Sequence, residues 1–233
     1  MTATDSRGVA ASGKALVSTI PTPCVALVTD RRVSGTIAAL VEAVEAAVAG
    51  GVNLVQLREK DLPDAEQLTL TRRLRAVTSG RALLFVNDSV SVAQAASADG
   101  VQLAETSRTV ASARDAMGGQ RLLVGRSVHD LAGAKQAAAD GADLLVVGTV
   151  FSTATHPGQP AVGVGLVEQI AASVSVPVLG IGGITAARAR DVVGAGATGV
   201  AVVTDILAAD DPQAAAMALC DAVQYAWASR ERR

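Results

Sequence analysis

Short runs of Val, Leu and Ile alternate along this chain with longer Ala-rich stretches, and the alternation repeats eight times. The apolar runs predict strands at Val25–Thr29, Leu54–Arg58, Leu83–Asn87, Gly100–Leu103, Leu122–Ser127, Leu144–Gly148, Val178–Ile181 and Gly199–Val203. The stretches between them predict helices at Gly35–Val48, Ala65–Val77, Val90–Ala96, Val110–Met117, Leu131–Asp140, Leu166–Val174, Ala186–Val193 and Gln213–Ala228. Segments such as Leu144-Leu-Val-Val147 are apolar on both faces, as parallel strands covered by helices must be. Small turn elements, among them Ala49-Gly50-Gly51 and Asp140-Gly141-Ala142, end helices and lead into the next strand. Eight such units without a break in composition predict an α/β fold: a single (β/α)8 TIM barrel over residues 20–229. An open doubly wound sheet is the alternative for the same alternation. Residues 1–19, rich in Ser, Ala, Thr and Gly, read as a flexible N-terminal tail.

Composition narrows the class. Half of the 233 residues are apolar but only 2% are aromatic, so the core must be built from Ala, Val, Leu and Ile. A formal charge of -2 and a pI near 5.7 argue against a nucleic acid or a membrane surface as partner. Cys24 and Cys220 lack metal-site spacing and read as small apolar residues. There is no apolar run of membrane-spanning length and no convincing signal-peptide core. The expectation is a soluble cytoplasmic protein.

In such a barrel, chemistry collects at the C-terminal ends of the strands. Those ends carry Arg58-Glu-Lys60, Asn87-Asp88, Gln102, Ser127 with His129, Thr153 to His156, Gly182-Gly183 and Thr204, while the opposite ends carry turn residues. Gly180-Ile-Gly182-Gly183-Ile-Thr185 opens directly into a helix, where glycines allow close backbone approach and a helix N-terminus offers N–H donors to a phosphate. Val203-Thr204-Asp205-Ile-Leu supplies the short extra helix that completes such a corner. Arg58 and Lys60 are either anion contacts or a surface charge pair. Asp88 either serves a heterocycle or divalent ion, or caps the helix that follows. Glu105 is a second carboxylate whose direction the sequence leaves open. His129 and His156 are the two imidazoles of the chain, and both fall at this mouth. The long Ser152–Gly163 loop is the candidate lid.

The pieces Val55-Gln-Leu-Arg-Glu-Lys60, Val86-Asn-Asp88, Ala98-Asp-Gly-Val-Gln-Leu103, Gly125-Arg-Ser-Val-His129, Gly148-Thr-Val-Phe151, Val178-Leu-Gly-Ile-Gly-Gly-Ile184 and Gly199-Val-Ala-Val-Val-Thr204 together resemble the thiamine phosphate synthase and thiazole tautomerase superfamily, over about residues 24–225. The resemblance implies a barrel that binds a thiazole ethyl phosphate. In the synthase, a pyrimidine carbinol diphosphate is joined to that phosphate with Mg2+, and pyrophosphate leaves. Arg58, Lys60, Asn87, Asp88 and Ser127 match its diphosphate-handling positions, with Asp88 as metal ligand, and Thr153 and Thr155 match its phosphate contacts. Gln56, His156, Gly182, Gly183 and Thr204 complete the implied substrate-binding set. Two departures count against the synthase. The loop after strand four reads Ala104-Glu-Thr-Ser-Arg108 where the synthase has a second metal-binding Asp, and His156 stands where it has Lys. The tautomerase needs neither metal nor other cofactor, since it moves a proton on carboxythiazole phosphate. Gly125-Arg-Ser-Val-His129 and His156-Pro-Gly158 are similar to that branch, so the expectation is an isomerase, a thiazole tautomerase with His129 as its catalytic residue. The synthase is the alternative, and a non-catalytic regulatory barrel that binds thiazole phosphate is a third. The partner in every case is a small phosphorylated thiazole. Pairing with a second copy is left open.

Overall fold

Each apolar run becomes a strand that buries both of its faces, and the strands have no edge left to expose. In the computed structural model, which describes residues 19–153 and 160–232, eight parallel strands close into a barrel in sequence order. They are β1 (Cys24–Val28), β2 (Leu54–Leu57), β3 (Leu83–Asn87), β4 (Gly100–Leu103), β5 (Leu123–Val128), β6 (Leu144–Val147), β7 (Val178–Ile181) and β8 (Gly199–Val202). The helices are α1 (Arg31–Ser34), α2 (Ile37–Ala49), α3 (Asp64–Thr78), α4 (Val90–Ala95), α5 (Val110–Ala116), α6 (Leu131–Ala139), α7 (Gly163–Ala171), α8 (Ala186–Gly194), α9 (Thr204–Leu207) and α10 (Pro212–Glu231). The expected (β/α)8 barrel is therefore the fold, and the open sheet is not. The expected tail over 1–19 lies, apart from Thr19, outside the described residues. Among the described residues no helix is long and apolar enough to cross a membrane.

The period of two along each strand divides the core. Cys24, Ala26, Val28, Leu54, Phe85, Leu144, Val146, Leu179 and Ala201 fill the barrel interior, while Val25, Leu27, Val55, Leu57, Leu84 and Val86 face the helices. Phe85 is the large residue of the interior and is fully buried, a burial worth roughly 2–3 kcal/mol. Its ring reaches its neighbours because β4 has Gly100 there: a Cβ on Gly100 would lie 2.6 Å from the ring. Burial pushes the Cys24 thiol up to about 12, with Cys220 adding to it, and burial pushes the Cys220 thiol up to about 11. Both cysteines are free, so they behave as the apolar residues expected.

Two helices depart from the expected pattern. The helix expected from Gly35 starts at Ile37, and a short helix that was not expected, α1, precedes it, because two N-caps follow β1. Asp30 accepts from Arg32 N at 3.1 Å to start α1, Gly35 (φ 81°) ends it, and Thr36 accepts from Ala39 N to start α2. The helix expected over Leu166–Val174 begins earlier, at Gly163, and places Val167 and Ile170 in the core.

At the N-terminal end of the barrel one arrangement recurs under every second strand. Asn53, Asp99, Asp143 and Thr198 immediately precede β2, β4, β6 and β8. Each accepts a backbone N–H from the strand before: Val25 N at 2.9 Å, Leu84 N at 2.7 Å, Val124 N at 2.7 Å and Val178 N at 2.9 Å. Two residues ahead of each stands a residue in the left-handed region: Gly51, Ser97, Gly141 and Gly196. Asp99 and Asp143 are also gripped by Arg75 and Arg114, at 2.6 Å each.

Candidate active site

The opposite end of the barrel is open. A cavity of about 380 Å³ sinks into it, within the range of small-molecule sites. Of the residues expected there, Gln56, Arg58, Lys60, Asn87, Ser127, His129, Thr153, Gly182, Gly183 and Thr204 all line it. Thr155 and His156 lie outside the described residues, as does the middle of the candidate lid.

The floor is polar and tied together. Gln56 Nε2 donates to Asn87 Oδ1 at 3.2 Å, and Gln102 Nε2 donates to Ser127 Oγ at 3.1 Å. Gln102 is 2% exposed and can lie across the barrel only because β5 has Gly125, whose Cβ would collide with its amide oxygen. Sequence reading placed Gln102 at a strand end but gave it no part in the site.

Asp88 is the first correction. It is not the cap of α4; Ser89 is, accepting from Val92 N. Asp88 sits at φ 58° with Oδ1 on Ala104 N (2.8 Å) and Oδ2 on Asn87 Nδ2 (2.7 Å), so it anchors the loop after β4 beside the mouth. That loop supplies the residue whose direction was open. Glu105 lines the cavity, and its Oε2 lies 2.7 Å from His129 Nδ1. Arg126 holds the same loop by donating to the carbonyls of Arg108 (2.7 Å) and Glu105 (2.8 Å). Asp30, Thr106 and Thr149 also line the cavity and were missed. Their signal was modest: Asp30 and Thr149 each fall within two residues of a predicted strand end.

The glycine corner is built as expected. Gly182 and Gly183 have φ 104° and 59°, and α8 follows them. A Cβ on Gly183 would lie 2.6 Å from Ser152 O, and one on Gly182 would lie 2.5 Å from Thr149 Cγ2, so no side chain fits between this turn and the loop after β6. Arg188 donates to Gly183 O at 2.8 Å and locks the turn. Thr36, Ser89, Thr109, Asp130 and Asp211 cap α2, α4, α5, α6 and α10 with their side chains. By contrast α8 and α9 begin at this corner with no side-chain cap. Their first-turn N–H groups thus have no side-chain acceptor, as is also true of α3 and α7, and a helix start of this kind can receive an anion. Two ends of the cavity are thus suited to negative charge: this corner, and the guanidinium and ammonium of Arg58 and Lys60.

A parallel eight-stranded barrel with this polar cavity at its C-terminal mouth is a (β/α)8 barrel of the enzyme type. The family profile described as thiamine monophosphate synthase matches residues 25–206, and the chain belongs to that family. It is 43% identical over 216 residues to the thiamine-phosphate synthase of Roseiflexus castenholzii, covering 90% of this chain and 94% of the relative. With that of Haloarcula marismortui it shares 46% identity over 188 residues, 78% of this chain and 89% of the other. The structure of thiamine phosphate pyrophosphorylase from Pyrococcus furiosus superposes with a TM-score of 0.79 at 35% identity, covering 87% of this chain and 96% of that one.

These relatives overturn the expectation of an isomerase. The tautomerase reading leaned on His129, on His156 in place of a Lys, which lies outside the described residues, and on a carboxylate counted as missing from the loop after β4. The carboxylate is present, since Glu105 lines the cavity, and its nearest partner is His129 itself. An imidazole near a heterocycle is compatible with either chemistry, so its presence could not separate them.

Proposed function

We propose that this chain is a thiamine-phosphate synthase, a transferase that joins a pyrimidine carbinol diphosphate to thiazole ethyl phosphate and releases pyrophosphate. The observation that carries it is the near full-length identity to relatives of that name. The cavity supports the same reading, with one anion-binding region at Arg58 and Lys60 and another at Gly182, Gly183 and Thr204. In the reaction the C–O bond to the diphosphate breaks and a C–N bond to the thiazole nitrogen forms. That nitrogen attacks through its lone pair, so bond formation requires no proton transfer. What must be stabilised is the charge of the departing diphosphate, and fixed cations do so at no reorganisation cost. Gln56, Asn87 and Ser127 would orient the heterocycles over the floor, and the uncapped starts of α8 and α9 would hold the thiazole's phosphate with Thr153 and Thr204.

The family implies Mg2+. The donor set suits it: Asp88 and Glu105 are hard oxygen ligands on neighbouring loops joined by the Asp88–Ala104 hydrogen bond. Among the described residues no group of three acidic, His or Cys side chains forms a cage. Mg2+ commonly takes only one or two carboxylates and completes its shell with water and substrate phosphates. When bound, it would neutralise diphosphate charge. Holding it at Asp88 and Glu105 is part of the proposal.

The test is pyrophosphate release by the purified protein given both substrates and Mg2+, with thiamine phosphate measured in parallel. Stoichiometric formation of both products is expected. No release, where a known synthase works in the same assay, would refute the reading.

A further inference from the structure

After β2 four consecutive residues alternate in sign: Arg58, Glu59, Lys60, Asp61. By formal charge such a loop offers an anion nothing. The fold sorts the signs. Arg58 and Lys60 line the cavity, while Glu59 and Asp61 do not. Both carboxylates are collected by one residue of the neighbouring β1–α1 region, Arg31, which is itself outside the cavity lining.

Glu59 is 3% exposed and satisfied throughout. It accepts from the Thr29 hydroxyl (2.8 Å), Arg31 N (3.0 Å) and Arg31 Nη1 (3.1 Å). The same guanidinium grips Asp61 with two bonds, Nη1 to Oδ1 at 2.6 Å and Nη2 to Oδ2 at 2.7 Å. Thr29 Oγ1 also accepts from Arg58 N at 2.9 Å, so the assembly is fastened to the backbone of the cavity-lining arginine. A half-exposed ion pair such as Arg31–Asp61 contributes little to stability as a rule, so stability alone is a weak reason for so complete an arrangement.

We propose that Arg31 is a positioning residue for anion binding: it gathers the two carboxylates of this loop so that Arg58 and Lys60 meet the diphosphate in fixed register and unpaired with the carboxylates beside them in sequence. The proposal rests on the reading of this end of the cavity as the diphosphate site. Losing Arg31 would do two things at once. It would free Asp61 to pair with Lys60 or Arg58, and it would leave the buried Glu59 with hydroxyl and amide donors alone.

Calorimetric titration with inorganic pyrophosphate and, separately, with thiazole ethyl phosphate tests it. Arg31→Met should weaken pyrophosphate by about tenfold while thiazole ethyl phosphate, held at the other end of the cavity, binds as before. Arg31→Met combined with Asp61→Asn should recover several-fold of the loss, because it deletes the negative charge that Arg31 had been holding. Arg31→Lys, which keeps the charge but not the fork, should fall between wild type and Arg31→Met. A merely structural role predicts otherwise: the double variant would bind no better than the single, and both ligands would weaken together. Either of those results, or an Arg31→Met protein that binds pyrophosphate like wild type, would overturn the proposal. Failure of the wild-type protein to bind pyrophosphate would instead overturn the diphosphate-site reading on which it rests.

Discussion

Glu105 and His129 meet across the loops that follow β4 and β5, with a carboxylate oxygen 2.7 Å from Nδ1. The contact joins the residue that seemed to replace a missing ligand with the residue that seemed to carry the chemistry. It changes what each is expected to do. A carboxylate beside the mouth can serve a cation, and the same carboxylate fixes the orientation of the imidazole ring.

The first prediction separates fixed charge from proton transfer. Arg58→Ala and Lys60→Ala should each lower kcat/KM for pyrophosphate release by roughly 10²-fold or more, the usual cost of removing a donor aimed at developing negative charge. His129→Ala should cost less than about tenfold, because general acid–base catalysis, where used, contributes roughly 10²–10⁴-fold. Steady-state kinetics of the three variants decide it. A His129→Ala defect as deep as that of Lys60→Ala would assign His129 a direct part in the chemistry.

Gly183 cannot accept even a methyl group without displacing the chain at Ser152. Its φ of 59° adds strain of roughly 1–2 kcal/mol for an alanine. Gly183→Ala should therefore lose most affinity for thiazole ethyl phosphate while leaving pyrophosphate binding nearly intact. Calorimetry with each ligand checks this. Equal affinity for the thiazole in mutant and wild type would remove the phosphate from this corner.

Under the barrel, Asp99→Ala and Asp143→Ala should each destabilise by about 1–2 kcal/mol, since each leaves a strand N–H without its acceptor and an arginine without its carboxylate partner. The two sites share no partners, so the double variant should show the sum. Urea unfolding measures all three, and kcat should not change. A double variant no less stable than either single one would argue against independent locks.

Asp61 gives a pH dependence. Arg31 holds its carboxyl down to about 2, against an ordinary value of 3.8. A carboxylate with a depressed folded-state pKa adds stability that is fully present above the unfolded value and lost as pH falls through the folded one. The Arg31–Asp61 contact should thus persist at pH 4 and open as the pH falls toward 2. Carboxyl chemical shifts followed by NMR should give a midpoint near 2 in wild type and near 3.8 in Arg31→Met. A wild-type midpoint near 3.8 would show that the contact does not persist in solution.

Much of this was legible in the order of residues. Strand positions followed from apolar runs, the groups at their C-terminal ends named nine cavity residues, and the family resemblance added Gln56. What remained hidden depended on direction. Nothing local says whether Glu105 points to His129 or to solvent, or that Asp88 adopts φ 58° and reaches over to Ala104. Sequence reading gave Glu59 and Asp61 no partner, and the one they share, Arg31, stands at the start of α1 after a different strand. The branch of the family was misread for a related reason. It was weighed on His129, His156 and the loop after β4 alone, and only similarity along the whole chain weighs the other positions.

The residues that pin each pair of strands from below, Asn53, Asp99, Asp143 and Thr198, lie at the end of the barrel opposite the cavity. Four modules carry their own fasteners there, and none of those fasteners is lent to chemistry. The loops at the mouth can consequently change without loosening what holds the strands in register. Such a division makes the scaffold evolvable: new specificities can be tried at one end while inheritance of the fold is secured at the other.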